Sequence, residues 1–436
     1  MMMDWLLHLP AYTKVGGSFL GILILNGLGL PLGLAILLSS VLLPLWAGTG
    51  MNGLIYQAAS FSQPQNYILP IIILLLLFFT ESLSKTGRME RTIGALKEWL
   101  KSKHIIMAGL PALVGLLPMP AGALFSAPFV AAVDENEELD RSHKVAINYW
   151  FRHIWEYWWP LYPGVILAMQ YSGLPAVVFF MIQIPFTFAA VIGGYFFILR
   201  KVKKEDGRNP GYGKIDVGNV FSAMGPIGIL VIISLIGSAV LPFLGIDGTL
   251  ANLIAMLTGL IVALGAIFRG HTVVFRQSLR MLMRRDTWFM IALVVGIQAF
   301  SAALLCPLDA AGSTLITGMR DEFIRTGIPL VMVIMLIPFI SGMATGVAFG
   351  FVGASFPIVF ALAGPDLTPA LSAATTAFAY TFGYMGMMLS PVHACFVVTA
   401  EYFGTRIFSA YRYIIGPVIV VLLTSIVLSC LYSVTF

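Results

Sequence analysis

Charged residues are scarce in this sequence. Only 10% of its 436 residues are Asp, Glu, Lys or Arg, and 59% are hydrophobic. An ordinary soluble protein carries about 25% charged residues. A soluble fold has too much surface to hide this quantity of apolar side chain. The composition therefore excludes a soluble enzyme, a nucleic-acid binder and a disordered scaffold, and it predicts a membrane protein.

Cysteine and catalytic motifs are also scarce. The only cysteines, Cys306, Cys395 and Cys430, lie in apolar runs, so we expect neither a disulfide framework nor a zinc site. The start MMMDWLLHLP lacks the basic segment and cleavage site of a signal peptide. A P-loop, an HExxH motif and a Gly-x-Gly-Asp pair are absent. We therefore expect no cofactor, no primary pump and no intramembrane enzyme.

Apolar segments recur along the chain. A spanning helix needs about 20 apolar residues, and about ten segments approach this length. Lys14 and Pro10 interrupt the first segment, which can also merge with the second into one long tilted helix. The predicted spans are 6–28, 31–48, 66–86, 145–172, 174–199, 219–243, 249–268, 287–311, 369–400 and 413–434.

Two further apolar stretches are broken near their middles by Gly and Pro. Residues 105–133 contain LLPMPAGALFSAPF, and residues 327–363 contain PFISGMATGVAFGFVGASFP. Each pattern predicts two half-length limbs around a non-helical tip. Such re-entrant hairpins are tolerated only where protein or a water-filled cavity surrounds the freed backbone.

The basic residues are concentrated in a few loops. Because Lys and Arg favour the cytoplasmic side, we expect a multi-pass protein of the cell membrane with these loops in the cytoplasm, and both hairpins then return to the face they entered. The loops that hold 21 of the 25 Lys and Arg residues are 85–104, 134–144, 200–216, 269–286 and 401–412.

The two halves of the chain resemble each other. An odd number of crossings in each half would place the second half upside down relative to the first, an arrangement typical of transporters. We therefore predict a first repeat over 1–200, a basic cytoplasmic linker over 201–216 and an inverted repeat over 217–436. The corresponding residues, at offsets of 224 to 228, are Gly122 and Gly346, Pro163 and Pro391, and Glu81 and Asp309.

The paired tips, the MLSP break before His393 and the closing TAEYFG resemble the ion transporter superfamily over nearly the whole chain. The sequence is most similar to its integral membrane family with the domain of unknown function 401. More distant similarity is to permeases for gluconate, citrate and C4-dicarboxylates. The resemblance implies a homodimer with scaffold and transport domains that works as an elevator. The tips read PMPAG and SGMATG, where the dicarboxylate branch has Ser-Asn-Thr.

The hairpin tips are the first candidate binding site. Gly and Pro prevent a continuous helix there, and the freed carbonyls suit Na⁺ whereas freed amides suit an anion. The alternative is that these small residues only allow close packing. The tip residues expected to bind substrate are Pro118, Pro120, Ala121, Gly122, Ser341, Gly342, Thr345 and Gly346, with Ser126 as a further hydroxyl.

The first broken span carries Arg152, His153 and Glu156 in an aromatic segment. Charges at this depth are costly, so they are paired or face a cavity. Arg152 can clamp a carboxylate, and His153 or Glu156 can carry a proton. Alternatively Arg152 and Glu156, at i and i+4, only lock the helix, or the aromatic residues form an interfacial belt. The HxxE string predicts no metal centre, because no second ligand pair accompanies it.

The second broken span offers Tyr384 and Ser390 to a substrate and His393 to a proton, although a lone His is more often structural. Glu81 and Asp309 are further proton or cation sites, unless they only reach interfacial water. These residues predict a secondary transporter of a small organic anion, coupled to H⁺ or Na⁺. The alternative is a Na⁺/H⁺ antiporter. The substrate, the coupling ion and the choice between symport and antiport stay open.

Overall fold

The computed structural model describes residues 8–87, 102–116, 122–134, 138–202, 217–269, 272–364 and 367–435. Within these residues the protein is helical, without strands. Among the described residues, six helices are long and apolar enough to cross a membrane, or seven if one bent pair counts as a span. The chain is therefore a multi-pass membrane protein, as the composition predicts.

The first half contains two long helices, α4 and α9, among shorter ones. In order, its helices are α1 (Ala11–Gly27), α2 (Leu32–Ala47), α3 (Gly50–Ser60), α4 (Pro64–Lys85), α5 (Lys103–Gly115), α6 (Gly122–Val133), α7 (Arg141–Arg152), α8 (Pro163–Ser172) and α9 (Ala176–Phe197).

The second half has the same order and adds one described helix, Leu315–Thr326, between its third long helix and the two helices predicted as its hairpin. Its helices are α10 (Val217–Val240), α11 (Gly248–Phe268), α12 (Thr272–Ser278), α13 (Arg285–Leu305), α14 (Leu315–Thr326), α15 (Leu330–Thr345), α16 (Ala348–Ala363), α17 (Pro369–Met388), α18 (Ala394–Tyr402) and α19 (Ile407–Thr435).

Several predicted spans are shorter or broken in the structure. The merged first helix is wrong, because Gly29 adopts a φ of +98° and α1 packs back on α2. The predicted hairpin limbs α5 and α6 pack on each other and have 13 and 12 residues. At 1.5 Å per residue neither limb crosses a hydrocarbon core about 30 Å thick.

The helices pack in two groups with crossed contacts between the halves. In the straight-helix group (α1, α2, α4, α10, α11 and α13), α2 packs on α13 and α4 packs on α11. In the broken-helix group (α5–α9 and α15–α19), α8 packs on α16 and α6 packs on α18. The α2–α13 contact therefore corresponds to the α4–α11 contact with the two halves interchanged. The α8–α16 contact corresponds to the α6–α18 contact in the same way.

Segments from the basic loops meet at one end of the molecule, which we call the basic end. There Lys144 Nζ lies 2.7 Å from Asp134 Oδ2, and Lys103 Nζ lies 4.0 Å from Oδ1 of the same carboxylate. Burial acts to raise the pKa of Asp134, but the hydrogen bonds from Lys144 and the Leu139 amide and the two lysine charges hold that pKa below its usual value. The three charges join the start of α5, the end of α6 and the start of α7.

Candidate functional site

Aromatic side chains in the break between α7 and α8 donate hydrogen bonds to the backbone of α5. Helix α7 ends at Arg152, and Pro163 begins α8. Trp155 Nε1 donates to the Ala112 carbonyl at 2.9 Å, Trp159 Nε1 donates to the Leu116 carbonyl at 2.8 Å, and the Tyr162 hydroxyl donates to Gly115. These donors satisfy carbonyls at the end of α5. The aromatic segment therefore binds neighbouring backbone, and the interfacial belt stays an alternative prediction.

Hydroxyl groups donate to backbone carbonyls around the break between α17 and α18. Ser390 Oγ donates to the Met343 carbonyl of α15 at 2.7 Å. Tyr411 donates to the Leu389 carbonyl at 2.8 Å, and Tyr149 donates to the Met388 carbonyl at 3.1 Å. The predicted substrate ligand Ser390 thus ties this break to the end of the second hairpin's first limb.

Glycine lets the hairpins approach the breaks. A Cβ on Gly115 would overlap the Arg152 carbonyl, and a Cβ on Gly342 would overlap the Gly383 carbonyl. At Gly346, which has a φ of +63°, a Cβ would lie 2.9 Å from the His393 amide nitrogen. Only glycine accommodates both the left-handed backbone and this approach.

A cavity of about 480 Å³ lies between these breaks, α4 and the start of α13. Six of the candidate site residues line it: Glu81, Arg152, His153, Glu156, Gly346 and His393. The rest of the lining is mainly apolar, with residues such as Leu76, Met290, Val347 and Phe349. The structure therefore brings charged residues of the first break together with His393 of the second.

Arg152 is the cavity's buried cation, with 2% of its surface exposed. Its guanidinium lies against Gly122, where a Cβ would approach Cζ to 3.0 Å. Its Nη1 lies 3.6 Å from Cys395 Sγ. Because α7 ends at Arg152, the predicted i, i+4 relation to Glu156 on one helix is wrong.

Two imidazole rings pack edge to face beside this arginine. The ring centroids of His153 and His393 are 4.9 Å apart at an interplanar angle of 83°. His153 Nδ1 donates to the Tyr149 carbonyl at 2.6 Å, and His393 Nδ1 lies 3.1 Å from the Tyr149 hydroxyl. Glu156 Oε1 lies 3.7 Å from His153 Nε2. One tyrosine of α7 therefore orients both rings.

Helix N-termini converge on the same cavity. Pro163 and Gly164 begin α8, Ala348 and Phe349 begin α16, and Ala394 and Cys395 begin α18; all six residues line the cavity. Gly122, at the start of α6, contacts Arg152. Because a helix N-terminus carries about half a positive charge, these four helices and Arg152 create a positive potential.

A family comparison matches this chain over residues 22–434, and that family is described as Protein of unknown function (DUF401). The chain belongs to this family. The predicted family is thereby confirmed. No match was found among curated proteins.

Members of the predicted site that do not line the cavity lie in supporting positions. Tyr384 donates its hydroxyl to the His153 carbonyl at 2.5 Å, and Thr345 donates to the Ser341 carbonyl at 2.8 Å. Ser341 is buried, and Gly342 lies against α17. Pro118, Pro120 and Ala121 lie outside the described residues.

Asp309 is not in the cavity. It lies in a surface turn after α13, where its Oδ1 accepts from the Ser313 amide at 3.0 Å. Hydrogen bonds from the Ser313 side chain and amide hold the pKa of Asp309 below its usual value. Its predicted counterpart Glu81 lines the cavity mouth, 3.5 Å from Arg284 and 3.4 Å from Lys85. The two acids therefore occupy different environments, because Asp309 lies beyond the end of its helix at Leu305 whereas Glu81 lies within α4.

A second cavity, of about 670 Å³, lies at the opposite end of the molecule. Its lining is polar and includes Asn66, Asp247 and Ser301, and its Gln170 and Gln298 side chains lie 3.3 Å apart. Helix α8 connects the two cavities, since Gly164 lines the first and Gln170 the second.

Sequence reasoning missed two residues of the site. Cys395 was read only as part of an apolar run, and Tyr149 was not singled out at all. The signal for Cys395 was its position two residues after His393 at a predicted break. Nothing local in the sequence indicates that Tyr149 holds both imidazoles, because His393 is 244 residues away.

Proposed function

We propose that this protein is a secondary active transporter of a small organic anion, a carboxylate, coupled to H⁺ or Na⁺. The observation that carries the proposal is the convergence of helix N-termini on Arg152 in a largely apolar cavity. Helix N-termini and a guanidinium both favour an anion. The planar guanidinium also matches the two oxygens of a carboxylate.

The cavity supports a small substrate with an apolar part. Its volume of about 480 Å³ is at the lower end of ligand pockets, and leucine, methionine, valine and phenylalanine side chains form much of its wall. A carboxylate would face Arg152 while its carbon skeleton contacts these side chains. This chemistry favours a short-chain organic acid over a polyphosphate or a sugar.

The groups beside Arg152 support coupling to protons. His153, His393 and Glu156 lie within one buried cluster that faces the cavity. An ionisable group inside a membrane protein that faces a cavity is a natural proton carrier. Na⁺ at carbonyls of the hairpin tips is the second route of coupling.

The packing supports transport by alternating access. Short paired helices at α5–α6 and α15–α16 suit two re-entrant hairpins, and the crossed contacts suit inverted repeats. The straight-helix group would be the scaffold of a homodimer, and the broken-helix group would move as an elevator. On this proposal the basic end faces the cytoplasm of the cell membrane.

A Na⁺/H⁺ antiporter is the second candidate. Glu81 and Glu156 both line the cavity, and Glu81 is near its mouth. Carboxylates of this kind would bind a cation in exchange for a proton. Arg152 and the four helix N-termini attract an anion, and for this reason we favour the anion transporter.

Thermal unfolding of the purified protein, followed by uptake into proteoliposomes, tests the proposal. A carboxylate ligand should raise the apparent Tm by an amount that grows with its concentration over its Kd. The same compound should accumulate in liposomes under an imposed pH or Na⁺ gradient. Stabilisation by Na⁺ and pH alone, with no response to any carboxylate, would favour the antiporter.

A further inference from the structure

A cluster of metal-ligand side chains lies deep in the first cavity. One potential ligand atom each from His153, His393 and Cys395 lies within 4.8 Å of the others. His153 and His393 are 2% and 6% exposed, and all three residues line the cavity. The two histidines come from different halves of the chain. The fold thus supplies the second ligand pair, His393 and Cys395, that the HxxE string lacks in the sequence.

We propose that these residues form a binding site for one transition-metal ion of the Zn²⁺ or Co²⁺ class. Two imidazoles and a thiolate prefer such ions to Na⁺, Mg²⁺ or Ca²⁺, which prefer oxygen ligands. The inference goes beyond carboxylate transport and does not depend on it. Imidazoles that bind a metal do not carry protons, so proton coupling in the metal-bound protein would rest on Glu156.

The hydrogen bonds of the imidazoles fit this assignment. A backbone carbonyl only accepts, so His153 Nδ1 carries the hydrogen that it donates to Tyr149 at 2.6 Å. His393 Nδ1 likewise faces the Met387 carbonyl at 3.4 Å and the Tyr149 hydroxyl at 3.1 Å. Nε2 of each ring remains to bind the metal. Histidine ligands of metals are usually anchored in this way through their other nitrogen.

The three ligand atoms lie close to the spacing that a tetrahedral ion requires. With bonds of about 2.0–2.3 Å, two ligands of a tetrahedral zinc lie about 3.3–3.8 Å apart, so atoms within 4.8 Å of one another would approach by about 1 Å on binding. Glu156 does not belong to this group, although its Oε1 lies 3.7 Å from His153 Nε2. Two nitrogens and one sulfur hold the ion, and the fourth position is left to water.

The charges around the cluster allow a cation beside Arg152. On binding, the S–H bond of Cys395 breaks, its proton leaves to water and a sulfur–metal bond forms, with no change of oxidation state. Arg152 Nη1, 3.6 Å from Sγ, favours the thiolate that binds metal. The thiolate offsets part of the ion's charge, and the Glu156 carboxyl group lies beside the site, 3.7 Å from His153 Nε2.

Titration with Co²⁺ tests the site in the full-length, tag-free protein. The wild type should bind one Co²⁺ per chain and show thiolate-to-cobalt charge-transfer absorption. A Cys306→Ser, Cys430→Ser double variant keeps Cys395 as its only thiol and should retain the band. Cys395→Ser should lose the band and bind Co²⁺ at least about tenfold more weakly, and His153→Gln should weaken binding by a similar factor.

The double variant also avoids dependence on the folding of Cys395→Ser. Alkylating its single thiol before adding Co²⁺ should abolish the band, whereas an excess of Zn²⁺ should displace Co²⁺ and bleach it. A wild type without the charge-transfer band overturns the proposal. So does a band that survives in Cys395→Ser or in the alkylated double variant, because the sulfur would then not be a ligand.

Discussion

Gly122 lies against the guanidinium of Arg152, so the first residue of α6 contacts the last residue of α7 without an intervening side chain. The guanidinium therefore lies between the start of α6 and the start of α18, which belongs to the other half. Its position is therefore set by both halves together.

This contact makes Gly122→Ala a sensitive probe. The added methyl would overlap the guanidinium and displace it, and a shift of about 1 Å at a binding group can cost up to about a hundredfold in rate. We expect carboxylate uptake to fall at least about tenfold. Gly109→Ala in α5 is the matched control, because its Cβ would meet only Ile105 Cγ2 at 3.8 Å. Equal uptake by both variants would contradict the role of the contact.

Arg152→Lys and Arg152→Gln test the anion clamp. Lysine keeps the charge but loses the planar fork, and one lost hydrogen bond to a charged group costs about 1.5 kcal/mol, or about tenfold in affinity. Uptake at low substrate concentration should fall about tenfold in Arg152→Lys and further in Arg152→Gln. The exposed Arg406→Lys should match the wild type. Unchanged uptake in both Arg152 variants would favour the antiporter.

Glu81→Gln and Asp309→Asn test separately the two acids that the sequence predicts as counterparts. Asp309 lies in a surface turn, so Asp309→Asn should leave uptake within about twofold of the wild type. Glu81→Gln removes a carboxylate from the cavity mouth and should reduce gradient-driven uptake more strongly. Both variants should melt within a few degrees of the wild type. Glu81→Gln removes only ion pairs to the more exposed Lys85 and Arg284, and Asp309→Asn changes only hydrogen bonds within a surface turn. Equal losses of uptake would restore the predicted symmetric pair.

Asp134 at the basic end predicts a pH dependence of stability. Its pKa in the folded protein lies below the unfolded value, so its stabilisation is present above an unfolded pKa of about 3.9 and is lost as pH falls through the folded pKa. Asp134→Asn removes the carboxylate beside Lys144 and leaves Lys103 only Glu138, 3.8 Å away, so it should cost about 3 kcal/mol near neutral pH.

Thermal melts of both proteins between pH 7 and pH 3 measure this effect. The difference in apparent Tm should be constant near neutral pH and shrink below about pH 4, because the wild-type carboxylate becomes protonated there. The exposed Glu401→Gln should show no such difference. A difference in apparent Tm between the wild type and Asp134→Asn that does not change with pH would mean that the aspartate acts through packing alone.

The order of elements was predictable from sequence because hydropathy and helix breakers are local properties. Pro163 and the Ser390–Pro391 pair mark the two breaks, and both breaks occur where predicted. The sequence did not show whether α1 and α2 are one helix or two. The positive φ of Gly29 separates them, and composition does not reveal a backbone angle.

The site was only partly predictable. Arg152, His153 and Glu156 attract notice because charge is costly at this depth. Their true neighbours are long-range: Cys395 is 243 residues from Arg152, and its contact depends on α18 packing against α6. Glu81 and Asp309 occupy different environments for a similar reason. Their equal spacing in the sequence does not show that α13 ends before Asp309 whereas α4 continues past Glu81.

Helix α8 has a further, electrical consequence. Gly164 on the first cavity and Gln170 on the second are six residues apart, about 9 Å along the helix axis. On the proposed transport function, with the two cavities open to opposite faces of the membrane, α8 would be the partition between them. The membrane potential, worth about 2.3 kcal/mol per elementary charge at 100 mV, would then act most strongly on charge that moves past this helix.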